Sequence, residues 1–446
     1  MPRYEIDIKK KYIFPSDLRT ISFDQSILII APDYANWIVL ESPVQLEIFE
    51  QFKNGRTIED VLALYEASNV TYVVTQIEAR NLCDMMAHTS TNKERSMHLY
   101  LTNKCNLSCP QCYMYAGKSE EEEEMTTEEI IHLLSDFRLI AQGEFVTFSR
   151  GEPSSRIDFN VIVRKAADLG LKVKLITNGT LLSSEQIREL APYIYAVQVS
   201  IDGFSEESNS KIRGKGNFQK ALSTVDVLLS MDIETDIAVS PPIEILRNHI
   251  DEYVSFAKQL YMKYSGKKFQ IKFAEELLHG RDVNPSKQYN QSYFELVNQI
   301  QTMVYGADYP VMNFVRALYN NRILENCMFG NFSVGANGDV FYCARSGDIP
   351  AFANIRRNSF ADILENAIHA QEISKISHLA PCKNCELRYI CGGGCRIEEF
   401  PALTKHTSYK NFDIASIPPR NCSLTLKNKF YDLMIRSNKY FYRAIQ

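Results

Sequence analysis

Three cysteines stand close together in the first third of the chain, at a spacing suited to iron–sulfur chemistry. Cys105, Cys109 and Cys112 follow a C-x3-C-x2-C pattern. Three thiolates from one loop can hold three irons of a [4Fe–4S] cubane, which leaves the fourth iron without a protein ligand. A zinc site is the alternative, but zinc sites usually take four ligands and no fourth Cys or His lies near in sequence. The spacing therefore predicts a cluster with one open coordination position.

Seven further cysteines lie near the C-terminal end and predict additional metal sites. They are Cys327, Cys343, Cys382, Cys385, Cys391, Cys395 and Cys422. The C-x2-C-x5-C-x3-C run from Cys382 has metal-ligand spacing, and a zinc-ribbon-like site is the alternative to iron–sulfur clusters. Disulfides explain these cysteines poorly in a cytoplasmic protein, because the cytosol keeps thiols reduced. The remaining cysteine, Cys83, is interpreted as a small buried hydrophobe on a helix.

Composition and charge narrow the class of protein. The 446-residue chain has a net charge of -5, which provides no basic field for nucleic acid. The first residues contain no apolar signal core, and no stretch approaches the roughly 18 apolar residues of a membrane span. We therefore expect a cytoplasmic protein with no nucleic-acid or membrane partner.

The middle of the chain alternates strands with helices. Six strands are predicted, at Met97–Thr102, Glu144–Ser149, Leu171–Thr177, Tyr195–Ile201, Glu234–Ser240 and Phe269–Phe273. Repeated βα units indicate a parallel sheet covered by helices. Six units favour a partial (β/α)6 TIM barrel over a closed eight-stranded one. Active sites of such folds lie at the C-terminal ends of the strands, where the first cysteine loop falls.

Two further regions flank this α/β barrel. Strands at Ser26–Pro32 and Trp37–Leu40 are followed by helical patterns at Val44–Phe52, Thr57–Tyr65 and Thr75–Met86, which together describe a small winged-helix-like module. Beyond Cys327 the sequence has little periodicity, so metal clusters must supply much of its cohesion. We predict three domains: residues 1–90, the barrel at residues 96–310, and a Cys-rich region at residues 320–446.

The cysteine loop after the first barrel strand resembles that of the radical S-adenosylmethionine (SAM) superfamily. The resemblance implies that SAM chelates the open iron and that its reductive cleavage gives a 5′-deoxyadenosyl radical, which abstracts a substrate hydrogen. One residue departs from the family pattern: Gln111 stands where an aromatic residue often precedes the last cysteine, and Tyr113 follows that cysteine instead.

The same resemblance implies a set of SAM-binding residues at the ends of successive strands. Ser149-Arg150-Gly151-Glu152-Pro153 is similar to the family's Gly-Gly-Glu-Pro element, in which the glutamate holds the SAM amino group, although Arg150 replaces the first glycine. Planar, bidentate recognition of the SAM carboxylate suits an arginine. The implied SAM contacts are Glu152, Asn178, Ser200, Asp202 and Arg213.

The C-terminal cysteines resemble the SPASM extension of radical SAM enzymes, which binds two auxiliary [4Fe–4S] clusters and would bring the total to three. The resemblance implies that Cys382, Cys385, Cys391 and Cys422 hold one cluster. Cys327, Cys343 and Cys395 would hold the other, where many relatives have four cysteines. We hypothesise that one iron of this set is open and binds a substrate thiolate.

The N-terminal module resembles the precursor-recognition element of peptide-modifying enzymes, in which the leader of a ribosomally made peptide adds a strand to the sheet. Peptide modification is therefore implied, with a thioether from a cysteine sulfur to a carbon as the leading form and a flavodoxin or ferredoxin as electron donor. Carbon–carbon crosslinking, sulfatase maturation and modification of a cofactor precursor are the alternatives. Ala344 disfavours sulfatase maturation, because maturases carry an aspartate directly after the cysteine matched by Cys343. No general base can be named.

Overall fold

The computed structural model describes residues 7–83, 95–117, 123–319, 323–410 and 412–442. The first part is a three-stranded antiparallel sheet followed by three helices. Its elements are β1 (Arg19–Phe23), β2 (Ser26–Ala31), β3 (Asn36–Leu40), α1 (Pro43–Lys53), α2 (Ile58–Leu62) and α3 (Ala67–Ala79). β2 lies between β1 and β3. The Thr57 side chain and Asp60 form a capping box at the start of α2. The interpretation of this unit as a winged helix stays a prediction.

The third helix differs from its predicted position at Thr75–Met86. α3 begins eight residues earlier, because Val70, Val73, Val74 and Ile77 form the buried stripe with helical spacing. Residues 84–86 of the predicted helix lie outside the described residues. Cys83 therefore stands beyond the end of α3, where it packs half-buried against the core of this unit.

A six-stranded parallel sheet forms the centre of the molecule, as predicted. Its strands run in chain order from β4 to β9: Ser96–Tyr100, Phe145–Ser149, Lys172–Thr177, Ile194–Ser200, Glu234–Val239 and Phe269–Phe273. The eight helices α4 to α11 are Thr127–Leu139, Phe159–Asp168, Ser184–Leu190, Glu206–Arg213, Asn217–Ser230, Ile243–Asn248, Ile250–Lys263 and Lys287–Tyr305. Among the described residues, β9 pairs with β8 alone, so the sheet is open rather than closed into a complete barrel.

The two faces of this sheet differ in polarity. Buried residues such as Leu99, Val173 and Ile237 alternate along the strands and pack with the helices in one large core. Between them on β4 and β6 stand partly buried polar residues, His98 and Lys174. β5 differs, because all five of its residues are buried. The second face of the sheet is therefore polar only in part.

The C-terminal part extends the same sheet. Its elements are α12 (Tyr309–Tyr319), β10 (Ser333–Val334), β11 (Asp339–Phe341), β12 (Ala353–Asn354), α13 (Phe360–Ile373), α14 (Arg388–Cys391), α15 (Arg396–Glu399) and α16 (Leu424–Tyr442). β10 pairs in parallel with β4, and β11 and β12 follow in antiparallel order. The first barrel strand is thus covered on its outer edge by residues from far along the chain.

The N-terminal unit docks on the C-terminal part. Trp37 is buried and its indole Nε1 donates a hydrogen bond to the carbonyl oxygen of Met434 in α16, at 3.2 Å. Arg388, in α14, makes ion pairs with Asp17 (3.0 Å) and Asp33 (2.6 Å). An apolar cluster that includes Leu28, Ile390 and Met434 fills the space between them. In the described part of the chain, no helix is long and apolar enough to cross a membrane.

Candidate functional site

The first cysteine loop leaves the C-terminal end of β4, as its sequence position predicts. Cys105, Cys109 and Cys112 are all partly buried. The backbone amide of Leu107 donates to Cys105 Sγ at 3.4 Å, and the amide of Cys112 donates to the Cys109 carbonyl at 3.3 Å. Burial raises the pKa of Cys109, and the nearby Cys112 and Cys105 thiols raise it further. The fold brings the three thiols together, as a shared cluster requires.

A segment after β9 holds this loop in place. The backbone amide of Arg281 donates to the Cys112 carbonyl at 3.1 Å, and the amide of Asp282 donates to the Pro110 carbonyl at 2.7 Å. The Arg281 guanidinium also donates to the Cys109 carbonyl at 3.1 Å. A Cβ on Gly280 would lie 2.7 Å from the Gln111 carbonyl oxygen, so only glycine allows this approach. The sequence analysis did not predict these contacts, although the Gly280-Arg281 pair after β9 could have indicated them.

Glu152 lies at the end of β5 beside the cysteine loop. Its carboxylate is fully buried and accepts hydrogen bonds from Ser154 Oγ (2.6 Å), Thr177 Oγ1 (2.7 Å) and the backbone amide of Asn178 (2.7 Å). Burial raises its pKa, although these donors act in the opposite direction. The carboxylate is thus fixed in orientation at the end of β5; its role as a SAM contact stays a prediction.

The arginine that departs from the family pattern is accommodated by the backbone. Arg150 has a φ of 63° and Gly151 a φ of 60°, so both residues are left-handed. A Cβ on Gly151 would lie 2.3 Å from the Lys104 carbonyl oxygen, which makes this glycine obligatory. A non-glycine residue at positive φ is strained, and this strain lies directly before Gly151 and Glu152.

Asn178, at the end of β6, connects that strand to the cysteine loop. Its side-chain amide donates to Asn106 Oδ1 at 2.9 Å and lies 4.0 Å from Cys105 Sγ. Ser200 is the last residue of β7, but no hydrogen bond of its side chain occurs among the described residues. The structure therefore brings Asn178 to the loop and leaves Ser200 at the neighbouring strand end.

Asp202 and Arg213 form an ion pair beside the first cysteine loop. The Asp202 carboxylate is completely buried and accepts from Arg213 Nε at 2.6 Å and from Gln111 Nε2 at 2.5 Å. Burial alone would lower the pKa of Arg213, but Asp202 raises it, with further contributions from the Cys109 and Cys105 thiols, so the net change is upward. Gln111 Oε1 is buried without a hydrogen-bond partner in the described structure. Gln111 thus has a structural role that its departure from the family pattern did not reveal.

One of the two C-terminal cysteine sets lines a single small cavity. Its lining includes Cys382, Cys385, Cys391 and Cys422, the four residues predicted to share a cluster. Arg420 and Lys427 also line it, and both are paired, with Glu399 at 2.7 Å and Glu386 at 2.8 Å. The donor set fits one four-cysteine cluster.

The other set consists of three cysteines near β10 and β11. Cys343 has its pKa raised by burial and by the neighbouring Cys327 and Cys395 thiols. Arg345 Nη1 donates to Cys395 Sγ at 3.7 Å and also pairs with Glu398 at 2.6 Å. Part of the segment in which relatives carry a fourth cysteine, residues 320–322, lies outside the described residues.

Arg396 supports a metal-cluster interpretation of both C-terminal sets. Its side chain is completely buried, and every hydrogen bond that it donates in the described structure goes to a backbone carbonyl. A buried cation without an anionic partner is costly, and thiolates bound to iron would supply that anion. Within the described ranges, no three His, Cys, Asp or Glu side chains are placed to hold a single metal ion. In a cubane, by contrast, each cysteine binds its own iron.

Tyr113 stands between the first cysteine loop and the three-cysteine set. Its side chain is 41% exposed, and the protein around it raises its pKa. The groups that act on it electrostatically are Cys112, Arg150, Cys343 and Arg345. Tyr113 therefore lies near residues of both cysteine groups.

Comparison with known families agrees with this arrangement. Residues 99–252 match the radical SAM superfamily, and residues 326–386 match the SPASM iron–sulfur cluster-binding domain. The two matches cover the first cysteine loop with its strand-end residues, and four of the seven C-terminal cysteines.

Individual relatives and solved structures are similar over most of their length. The chain is 27% identical over 337 residues to an AdoMet-dependent heme synthase of Methanosarcina barkeri, covering 70% of this chain and 94% of that protein. It is 27% identical over 318 residues to a PqqA peptide cyclase of Rhizobium meliloti, covering 67% and 81%. The structure of anSMEcpe with bound AdoMet superposes with a TM-score of 0.56 at 18% identity, covering 77% of this chain and 95% of that chain. That likeness concerns the fold.

Proposed function

Because this chain is a radical SAM enzyme with a C-terminal SPASM iron–sulfur domain, we propose that it matures a ribosomally made peptide. The observation that carries the proposal is the attachment of the N-terminal sheet to the wall of the four-cysteine cavity. Arg388 lines that cavity and pairs with Asp17 and Asp33 of the N-terminal unit. A peptide held by this sheet is thereby tethered beside the cluster-bearing part of the enzyme. The similarity to a peptide cyclase supports the same substrate class.

SAM and three [4Fe–4S] clusters are the cofactors of this proposal. When bound, the cluster at Cys105, Cys109 and Cys112 and SAM supply a 5′-deoxyadenosyl radical. Glu152 and Arg213 orient SAM through its amino and carboxylate groups, and Asn178, Ser200 and Asp202 complete the pocket. The Asp202–Arg213 pair at 2.6 Å fixes the arginine before SAM arrives, which lowers the cost of ordering the side chain on binding.

SAM cleavage is the first test. Anaerobically reconstituted and reduced protein should convert SAM to 5′-deoxyadenosine and methionine, measured by chromatography. Cys112→Ala should reduce this activity to the background of cluster-free protein, because one thiolate ligand is lost. Cys83→Ala is the matched control, since Cys83 lies in the N-terminal core outside both cysteine groups. If the wild-type protein releases no deoxyadenosine, the proposed function is wrong.

Leader binding is proposed to use the free edge of the N-terminal sheet. The outer edge of β3 is already bonded to α3 and to Arg80, the residue that follows this helix. Val39 N donates to Gln76 Oε1, and the Val39 carbonyl accepts from Tyr72 OH. Arg80 Nε donates to the Trp37 carbonyl. Among the described residues, β1 makes backbone bonds only with β2. A peptide strand can therefore add to β1 without displacing any bond.

Thr20→Pro tests this edge. Proline at an edge position that faces solvent removes an outward N–H and preserves the inner ladder, so leader affinity should fall while SAM cleavage persists. Affinity would be measured by fluorescence anisotropy with a labelled leader from a short peptide encoded beside the gene. Thr20→Val is the control. Thr71→Pro is unsuitable for this purpose, because a proline there breaks α3. Unchanged binding by the proline variant would place the peptide elsewhere, for example at β3. Point variants are preferable to deleting the unit, because Trp37 packs on α16.

The finer proposal is a thioether crosslink from a cysteine sulfur to a carbon of the peptide. The three-cysteine set of Cys327, Cys343 and Cys395 has one ligand fewer than the four-cysteine set, and a substrate thiolate can complete it. The crosslink replaces one C–H and one S–H bond by a C–S bond: the hydrogen atom goes to deoxyadenosine, the proton to solvent and the electron to the iron–sulfur centres. The product should lack two hydrogens and resist alkylation by iodoacetamide. A Cys-to-Ser peptide that is still crosslinked would favour a carbon–carbon bond instead.

A second candidate function is modification of a cofactor precursor, which the similarity to a heme synthase over 94% of that protein favours. Such an enzyme would not need a leader. Coproporphyrin and the neighbouring peptide can be offered in parallel to the reduced, SAM-bound enzyme. Substrate-dependent deoxyadenosine formation with only the porphyrin would overturn the peptide proposal.

A further inference from the structure

Arg396 is the most deeply buried charged side chain near the C-terminal cysteines. It directly follows Cys395 and begins α15, and its relative exposure is 0%. Its guanidinium donates to the carbonyl oxygens of Ser374 (2.8 Å), Gly392 (3.0 Å), Gly394 (2.7 Å) and Glu325 (3.4 Å). These bonds fix its orientation and leave its charge uncompensated, because every acceptor is neutral.

The two other buried arginines of the described structure, Arg388 and Arg420, have carboxylate partners. Arg388 pairs with Asp17 and Asp33, and Arg420 pairs with Glu399. The partly buried Arg213 and Arg345, beside the other cysteines, also pair with carboxylates. Arg396 has no ion pair with any described carboxylate. An unpaired cation in a dry interior is retained only where an anion compensates it.

Arg396 is held by backbone that joins the two C-terminal cysteine sets, because Gly392 directly follows Cys391 of the four-cysteine set and Gly394 directly precedes Cys395 of the three-cysteine set. The cysteines that act electrostatically on the guanidinium also come from both sets, namely Cys327, Cys395 and Cys382. These thiols would be thiolates when they bind iron. Arg420, in contrast, interacts with Cys382, Cys391 and Cys422, which all belong to one set. Arg345 interacts with Cys395 of the other set. Arg396 is thus positioned between the two sets.

We propose that Arg396 is the shared countercharge of two auxiliary iron–sulfur clusters and raises the reduction potential of both. Thiolate-bound clusters carry negative charge, and reduction adds more. A fixed cation in a low-dielectric interior stabilises the reduced form, and net charge around a cluster is one of the determinants of its potential. Arg396 is a positioning and tuning residue rather than a ligand. The inference rests on the proposed auxiliary clusters and is independent of the peptide substrate and of the bond formed.

The test is a redox titration of full-length, reconstituted protein followed by electron paramagnetic resonance. Arg396→Gln removes the charge and keeps a donor. At a fixed potential, the reduced-to-oxidised ratio of both auxiliary clusters should fall about tenfold, which corresponds to 59 mV for a one-electron couple. The SAM-side cluster is the internal control and should keep its potential, because its own cation, Arg213, is unchanged. A shift in neither auxiliary cluster, or in only one, overturns the proposal.

Two matched variants sharpen the result. Arg420→Gln should shift only the four-cysteine cluster, and Arg345→Gln only the three-cysteine cluster. Arg396→Lys keeps the charge and loses part of the hydrogen bonding, so its potentials should stay near those of the wild type. If Arg396→Gln does not retain its clusters, the Arg396→Lys variant tests the proposal instead. If this variant retains both clusters with near-wild-type potentials, the result supports a role of the charge of Arg396. If it loses its clusters to the same extent as Arg396→Gln, the proposal is overturned.

The iron content of the protein distinguishes failure of the proposed role of Arg396 from failure of the proposed auxiliary clusters. About twelve irons per chain, as three cubanes require, together with unshifted potentials refute the role of Arg396 alone. About four irons per chain would refute the auxiliary clusters themselves. Peptide modification is measured separately and does not enter either outcome.

Discussion

The two cysteine-bearing regions of this protein are built by different means. The first loop rests on the ends of parallel strands, with Glu152, Asn178 and Asp202 bonded to their neighbours and Arg213 neutralised by Asp202. The C-terminal cysteines lie on short helices, short strands and loops, beside a cavity lined by thiols and the unpaired Arg396. The first site is therefore organised by the sheet, whereas we propose that the second uses its metal for charge balance and for part of its cohesion. On this proposal, one chain combines a rigid reaction site with a metal-supported one.

Removal of iron should produce the largest difference between the two cysteine-bearing regions. A chelator applied to the reduced protein should increase amide hydrogen exchange by about a hundredfold or more in residues 381–395 and 412–422, because metal binding is coupled to folding there. Strands β5 to β8 should stay protected, since their core contains no cysteine ligand. Mass spectrometry of peptides from both regions gives the measurement. Equal loss in both regions would remove the distinction drawn between them.

A substitution in the preorganised site should have an intermediate effect. Arg213→Lys keeps the charge and loses the planar fork that bonds Asp202 and that we propose to bind the SAM carboxylate, so the Kd for SAM should rise about tenfold, or about 1.4 kcal/mol. Titration of SAM into the cluster-loaded protein by calorimetry checks this. Arg164→Lys is the control, because Arg164 forms an exposed pair with Glu189. An equal rise in both variants would indicate a general loss of stability.

Acid should weaken the barrel by a smaller amount than either change. Burial lowers the pKa of His98, on β4, from 6.5 to about 4. The unfolded chain therefore binds this proton first, and stability that is complete above pH 6.5 is lost as the pH falls towards 4. Between pH 7 and 5.5 the loss should be about 1 kcal/mol, seen as faster exchange of the β4 amides. His98→Gln should flatten this dependence; an unchanged pH profile in that variant would assign the loss to other groups.

Sequence patterns predicted the parts of this protein that depend on local periodicity or on a fixed spacing. The six parallel strands lie where the alternation of predicted strands and helices placed them. The chain also carries both the radical SAM and the SPASM domains that its cysteine patterns resemble. The predicted domain boundaries and the individual ligands and SAM contacts stay predictions.

The missed features arise from contacts between residues far apart in the chain. Arg281 binds a loop about 170 positions earlier, and Gln111 bonds Asp202 across 91 positions. No window of sequence contains both members of such a pair. The helices α13 and α16 were missed for another reason: the cysteine spacing dominated the interpretation of residues 327–446, although Phe360, Ile363 and Ala367 have helical spacing.

The pairing of β10 with β4 has a consequence for biosynthesis. β4 is the first barrel strand to leave the ribosome, but Ser333 and Val334, which cover its outer edge, are made much later. Until then the strand that leads into the first cysteine loop has an open edge, and open edges recruit other strands. Nascent chains that end before β10 should therefore aggregate more readily than chains that include it, and the edge of β4 is covered only once Ser333 and Val334 have been made.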